Sequence, residues 1–175
     1  MKHHSGITVL EMLFVIVLVF FLMTSVTMIY IITLQGWGNL GHRSDLNKKL
    51  SFALDRISEE VAKATNLSAA NHGLRFTLYE SGANQSYIYY LYHASDTWPP
   101  AYTQSTYNLM RTTLTGEIGG TFTYGSGEIF ATGITPPGSS QTSITVSGNV
   151  ATLQLVGKEK NDTFVIRRSM CARNR

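Results

Sequence analysis

The chain has 175 residues, enough for one domain and an anchor. Its 14 Lys+Arg against 11 Asp+Glu leave a net charge of +3, too small and too dispersed to make nucleic acid the main partner. Cys171 is the single cysteine, which excludes an internal disulfide and a cysteine-rich metal site.

The mean hydropathy of +0.01 is high for a soluble domain, and one N-terminal segment supplies most of it. Met12 to Leu34 reads MLFVIVLVFFLMTSVTMIYIITL and holds no charge. Its 23 residues, at about 1.5 Å each, cover a hydrocarbon core of about 30 Å. The polar stripe of a soluble helix is missing. Thr24, Ser25, Thr27 and Thr33 can return their hydrogen bonds to their own helix. The segment is therefore predicted to span a membrane. Lys2 precedes it; Arg43, Lys48 and Lys49 follow it, and the short leader carries too little charge for that count to set the orientation. A secretory signal is the competing reading, with Gly36-Trp37-Gly38 as a small-x-small cleavage site and Asn39 as the new start. The apolar run is too long for that, and Glu11 would go unexplained.

Glu11 stands at the mouth of the span, within Gly6-Ile7-Thr8-Val9-Leu10-Glu11. A carboxylate in hydrocarbon costs several kcal/mol without a partner, so it marks a functional site. The positive end of the helix is one source of relief. A free amine is another: a cut after Gly6 would turn Ile7 into an ammonium about one turn from Glu11, or within reach of a neighbouring copy's Glu11. An ion pair in low dielectric would then favour one register of assembly.

With Lys2 in a short leader, Gly6, the run Ile7 to Glu11 and the apolar helix behind it, the sequence resembles the type IV prepilin and pseudopilin family. The resemblance implies cleavage after Gly6 by a prepilin peptidase and N-methylation of Ile7, which stands where Phe is more usual. It implies Glu11 as the assembly charge, and other pilin or pseudopilin subunits and an inner-membrane assembly platform as partners. It further implies a single-pass inner-membrane precursor with its C-terminal domain outside the cytoplasm, later drawn into a type IV pilus or a type II secretion pseudopilus. Phe20 and Met28 stand where many major pilins carry helix-breaking Gly or Pro.

Residues 35–43 follow as a Gly-rich bend, with Trp37 at headgroup level. Gly36 to Gly41 also fits G-x-G-x-x-G, but a nucleotide loop needs a preceding strand and a βαβ unit. Ser44 is expected to cap an amphipathic helix over 44–66, with Leu46, Leu50, Ala53, Leu54, Ile57, Val61 and Ala64 as its apolar stripe. Asp45–Lys49, Arg56–Glu60 and Glu59–Lys63 are spaced to pair on its outer face. Period-two patterns then mark strands at Leu74–Tyr79, Tyr87–Tyr92, Tyr107–Thr112, Gly120–Tyr124, Ser143–Ser147, Ala151–Val156 and Thr163–Arg168. Ser147-Gly148-Asn149 signals a hairpin. Thr132–Thr142 reads as a mobile loop. Helical patterns rarely separate the strands, so the sheet over 72–170 should be mainly antiparallel. The fold class is thus α+β and pilin-like: leader 1–6, apolar helix 7–34, bend 35–43, and a head over 44–175 whose helix covers the sheet. The tail from Val150 to Asn174 resembles the final hairpin of J-type minor pseudopilins and W-type minor pilins.

Other features carry less. Tyr87 to Tyr92 offers a strand of aromatics better suited to packing than to stacking bases or sugars. His3 and His4 belong to the leader; His42, His72 and His93 lack ligand spacing. Loop oxygens at Asp96 or Asp162 are the candidates for Ca²⁺. Cys171 is expected to pack at a strand end, with crosslinking to a partner as the alternative. No cofactor, metal or catalytic motif is indicated. The reading is a non-enzymatic minor pilin or pseudopilin. The alternatives are a filament-tip module for DNA, an adhesion ligand or a secreted substrate, motivated by Arg111, Arg167, Arg168, Arg173 and Arg175, and an anchored extracytoplasmic domain of other function.

Overall fold

A computed structural model gives the placement of residues 8–138, 141–159 and 162–173, and of their side chains except at 37–44, 159 and 162. Among them are one helix, α1 (Val9–Lys63), and eight strands: β1 (Asn66–Ala70), β2 (Gly73–Glu80), β3 (Ala83–Tyr92), β4 (Tyr107–Thr113), β5 (Glu128–Ile134), β6 (Ser143–Ser147), β7 (Val150–Glu159) and β8 (Asp162–Cys171). The chain divides into two compact units, Met1–His42 and Arg43–Arg175. The Gly-rich stretch expected to bend the chain stays inside α1, so Ser44 does not open a second helix. Glycine weakens a helix by about 1 kcal/mol but, unlike proline, keeps its N–H for the next backbone bond.

The first unit contributes the apolar part of α1. Val9–Gly36 is long and apolar enough to cross a membrane, and none of its most apolar window is buried. Thr24, Ser25, Thr27 and Thr33 each donate to the carbonyl four residues back, at 2.8, 2.9, 2.8 and 2.8 Å. Hydroxyls satisfied in this way cost little in hydrocarbon.

In the second unit, every residue of the expected stripe from Leu46 to Ala64 is buried. These side chains meet Leu74, Phe76, Tyr87, Tyr89, Leu91, Leu109 and Leu155 in one core. The sheet runs β1-β2-β3-β4-β5-β7-β6, with β8 on the other side of β7, and its strand pairs are antiparallel. It curls until β6 meets β1 and β2. Gly157 of β7 lies directly under the helix. A Cβ there would stand 2.7 Å from Leu50 Cδ1 and 3.3 Å from Leu46, so its bare backbone sets how closely helix and sheet approach.

Two-residue turns join the early strands. Asn71-His72 links β1 to β2 with φ of 50° and 58°, and Ser81-Gly82 links β2 to β3 with 53° and 84°. Positive φ at both central residues matches the right-handed twist of the flanking strands. The expected hairpin at Ser147-Gly148-Asn149 forms between β6 and β7.

β3 buries both faces. Tyr87, Tyr89 and Leu91 point to the helix, whereas Ile88 and Tyr90 join Met110 and Leu114 in a second core beneath Tyr92, Trp98, Phe122 and Tyr124. This corrects the strand expected at Gly120–Tyr124, where only Thr121 makes a bridge, to Thr115. Phe122 and Tyr124 alternate because both lie on Tyr90, at ring distances of 4.8 and 5.5 Å. Gly125 and Gly127, at φ of 87° and 115°, turn the segment away from the ladder.

Two strands went unread in the sequence. β5 occupies Glu128–Ile134, so Thr132–Ile134 belong to a strand rather than to a loop. Residues 139 and 140 of that expected loop lie outside the described residues. β1 takes up Asn66 to Ala70, because α1 ends at Lys63 and Thr65 N donates to Thr77 O at 2.9 Å.

Candidate functional site

Glu11 falls in the first turn of α1. Its amide and that of Met12 donate to Thr8 O at 3.0 and 3.2 Å, so Thr8 closes the helix start and Glu11 is the third helical residue. There the helix dipole favours a carboxylate. Glu11 is exposed, and among the described residues its carboxylate has no hydrogen-bond or ion-pair partner. Leu10 on one side and the uncharged span on the other leave it as an isolated negative charge at the start of an apolar helix. Its chemistry is that of an acceptor for one cation or a few N–H donors. Gly6 and Ile7, the expected cleavage and methylation positions, lie outside the described residues.

The second polar centre lies in the unit of Arg43–Arg175, and the sequence reading placed its key residue wrongly. Glu60, expected on the outer face, has a side chain only 8% exposed. It follows Ile57 by three and precedes Ala64 by four, which sets it at the margin of the buried stripe. Its Oε2 accepts from Arg111 Nε and from Tyr89 Oη, both at 2.9 Å, while Arg56 Nε approaches Oε1 at 3.6 Å. The Arg111 guanidinium also lies 3.9 Å from the centre of the Tyr87 ring, and Tyr87 donates to Glu80 at 2.8 Å. Burial, and then the neighbouring Glu60 charge, push the Tyr89 hydroxyl far above its ordinary pKa. For Arg111 burial opposes the charge, but Glu60 more than offsets it and the pKa is raised. Tyr89 thus keeps its proton to donate and Arg111 its charge. The arrangement joins helix to strands and offers no water-accessible nucleophile. Arg56 also reaches Glu59 at 3.6 Å, in place of the expected Glu59–Lys63 pair, while Asp45–Lys49 forms at 2.6 Å.

The remaining candidates scatter. Of the basic residues, Arg111 is consumed by Glu60 and Arg168 pairs with Asp55, whereas Arg167 and Arg173 are exposed and the side chain of Arg175 lies outside the described residues. Asp96 Oδ2 accepts from Tyr107 at 2.8 Å; Asp162's side chain is outside the described set. Among the described residues no three of His, Cys, Asp and Glu gather where they could hold a metal ion. Cys171 is exposed, which corrects its expected packing role: its neighbours Met170 and Ala172 turn inward, and the alternation of β8 turns Cys171 out.

Fold and centres together define an α+β chain that carries a membrane-capable apolar helix ahead of a curled antiparallel sheet. No family model, curated protein or solved structure matches the chain.

Proposed function

We propose that the chain is a non-enzymatic structural subunit of the type IV pilin and pseudopilin kind. In this reading it is inserted in the inner membrane, cut after Gly6 and N-methylated at Ile7. It is then drawn into a type IV pilus or type II secretion pseudopilus. The observation that carries this is the position of Glu11: one carboxylate in the first turn of a helix whose following span holds no other charge. The helix continues into a stretch whose buried stripe covers an antiparallel sheet, the division of labour such a subunit needs.

Moving an apolar helix from lipid into a bundle of like helices gains little hydrophobic energy. Order must then come from packing and from charge. The freed Ile7 ammonium of one subunit and Glu11 of the same or the next supply that charge, and the pairing stabilises a single register. Other subunits, a prepilin peptidase and an inner-membrane assembly platform are the proposed partners, with a separate ATPase doing the mechanical work.

Two experiments test the reading. Mass spectrometry of the membrane-extracted chain should show a start at N-methylated Ile7, and a chain still carrying Met1 to Gly6, or starting at Asn39, refutes it. Glu11→Ala should insert in the membrane as before yet be absent from sheared filaments; normal incorporation of this variant removes the charge-pair mechanism.

A further inference from the structure

Within the Arg43–Arg175 unit, an open cavity of about 520 Å³ is bounded by Ala62, Lys63, Thr65, Tyr79, Asn84 and Arg173. A second, of about 410 Å³, shares Thr65 and Asn84 with it and continues past Asn66, Thr77 and Ser86 to Glu117. Together they make one groove that starts at the end of α1 and runs past Tyr79, Asn84, Thr77 and Ser86, hairpin residues that alternate with those of the main core. Its walls are fixed. Thr77 Oγ1 and Ser86 Oγ bond at 3.0 Å, and Arg75 Nη1 ties down the Glu117 loop through the carbonyls of Ile118 and Gly120, at 3.1 and 3.0 Å.

Charge changes sign along this groove. Lys63 and Arg173 stand at one end, both exposed and neither paired with a carboxylate among the described residues. The Arg173 amide donates to Ala62 O at 3.3 Å, which fixes its backbone at the helix end and occupies a carbonyl that would otherwise repel an anion. The middle offers hydroxyls and amides, and Glu117 closes the far end. Tyr79 adds an aromatic side chain that is 67% exposed. Past Thr77 and before Tyr87 the two strands pair only with each other, but the stretch from Thr77 and Ser86 to Glu117 is lined mainly by polar groups and gives the side chains of an apolar peptide no pockets. A nucleic acid would bring several phosphates, and Glu117 repels all but those at the cationic end.

We propose that this groove binds an acidic oligosaccharide, a chain of neutral sugars ending in one carboxylated sugar. The carboxylate sits at Lys63 and Arg173, the terminal ring lies on Tyr79, and the following hydroxyls bond to Asn84, Asn66 and Glu117. A sugar suits such a site because it presents a flat C–H face to an aromatic ring and a rim of hydroxyls to polar side chains. The carboxylate gains charge-assisted bonds from the guanidinium. The proposal does not depend on filament assembly.

The test is calorimetric titration of the full chain in detergent micelles at low salt with 3′-sialyllactose, a xylotriose bearing one glucuronic acid, lactose and oligothymidylate. At least one of the two acidic sugars should bind with Kd of about 1 mM or below, and lactose about tenfold more weakly. Lys63→Gln and Arg173→Gln should each weaken acidic-sugar binding about tenfold, and Tyr79→Ala by a similar factor. Tyr79, Lys63 and Arg173 are exposed, so the variants keep the fold. The proposal is overturned if neither acidic sugar binds with Kd of about 1 mM or below, if lactose binds as well as the tighter of the two acidic sugars, or if the Lys63→Gln/Arg173→Gln double variant binds that sugar undiminished. Oligothymidylate competing for the same residues would reassign the groove to nucleic acid and overturn it too.

Discussion

Replacing Glu60 by alanine should be among the most damaging single changes in the Arg43–Arg175 unit. The substitution leaves the Arg111 guanidinium without its carboxylate and the Tyr89 hydroxyl without an acceptor, each having been 2.9 Å from Glu60 Oε2. Breaking a buried pair by removing one partner costs about 3–5 kcal/mol. Arg111 is 20% exposed and can recover some hydration, so the low end, about 3 kcal/mol, applies. At about 2 cal/mol/K per residue over about 130 residues, that lowers Tm by about 10 °C. Glu60→Gln keeps the shape and one acceptor and should lose about half as much. The double variant Glu60→Met/Arg111→Met removes both charges together and should recover most of the loss, because apolar packing can replace a buried ion pair at little net cost. Circular dichroism melts of the full chain in detergent micelles measure all three. A drop of under about 2 °C for Glu60→Ala, or a double variant as unstable as the two single changes summed, would refute the reasoning.

Three further outcomes follow from packing and titration. Gly157→Leu should destabilise by about 2 kcal/mol in a denaturant titration, since a Cβ already crowds Leu50, and adding Leu50→Ala should return part of the loss where two independent changes would only add. Leu50→Ala alone should cost about 3 kcal/mol from a fully buried site, measured in the same titration. Tyr90 donates to Ser126 O at 2.7 Å and accepts from Gly125 N at 3.2 Å, and burial pushes its pKa up to about 12 from an ordinary 10. The folded state therefore holds this proton more tightly than the unfolded chain does. Its contribution is whole below pH 10 and is lost as pH rises through about 12. Tyr90→Phe should cost about 1 kcal/mol at neutral pH and flatten the fall in denaturant midpoint above pH 10.

The helix was legible because burial on one side forces a spacing of three and four, and nothing interrupts it from Leu46 to Ala64. The β2–β3, β6–β7 and β7–β8 pairings were legible for the matching reason, period two around short polar turns. β5 was not. Its register shifts against β4 between Tyr107 and Met110, and its buried residues Ala131 and Ile134 fall three apart, which hides a strand from any alternation test. Phe122 and Tyr124 misled in the opposite direction, since two rings can share a side without a ladder. Glu60 was misplaced because Arg56, four residues before it, offers an ordinary surface pair along the helix, whereas Arg111 lies 51 away on β4. Glu11 could be picked out because a lone carboxylate beside an uncharged run has no local explanation; the groove of Lys63, Tyr79 and Arg173 comes from three distant segments and has no sequence signature.

A helix that rests on a sheet by aliphatic contacts alone has several nearly equivalent seats, one turn or about 5.4 Å apart, because one leucine substitutes for another at small cost. The Glu60 carboxylate removes that degeneracy. Slipped by a turn, it would face Ile57's or Ala64's apolar surroundings with no cation to meet it. Tension along the C-terminal half of α1 is therefore delivered to the central strands β3 and β4 through this buried latch, and to β8 through the more exposed Asp55–Arg168 pair.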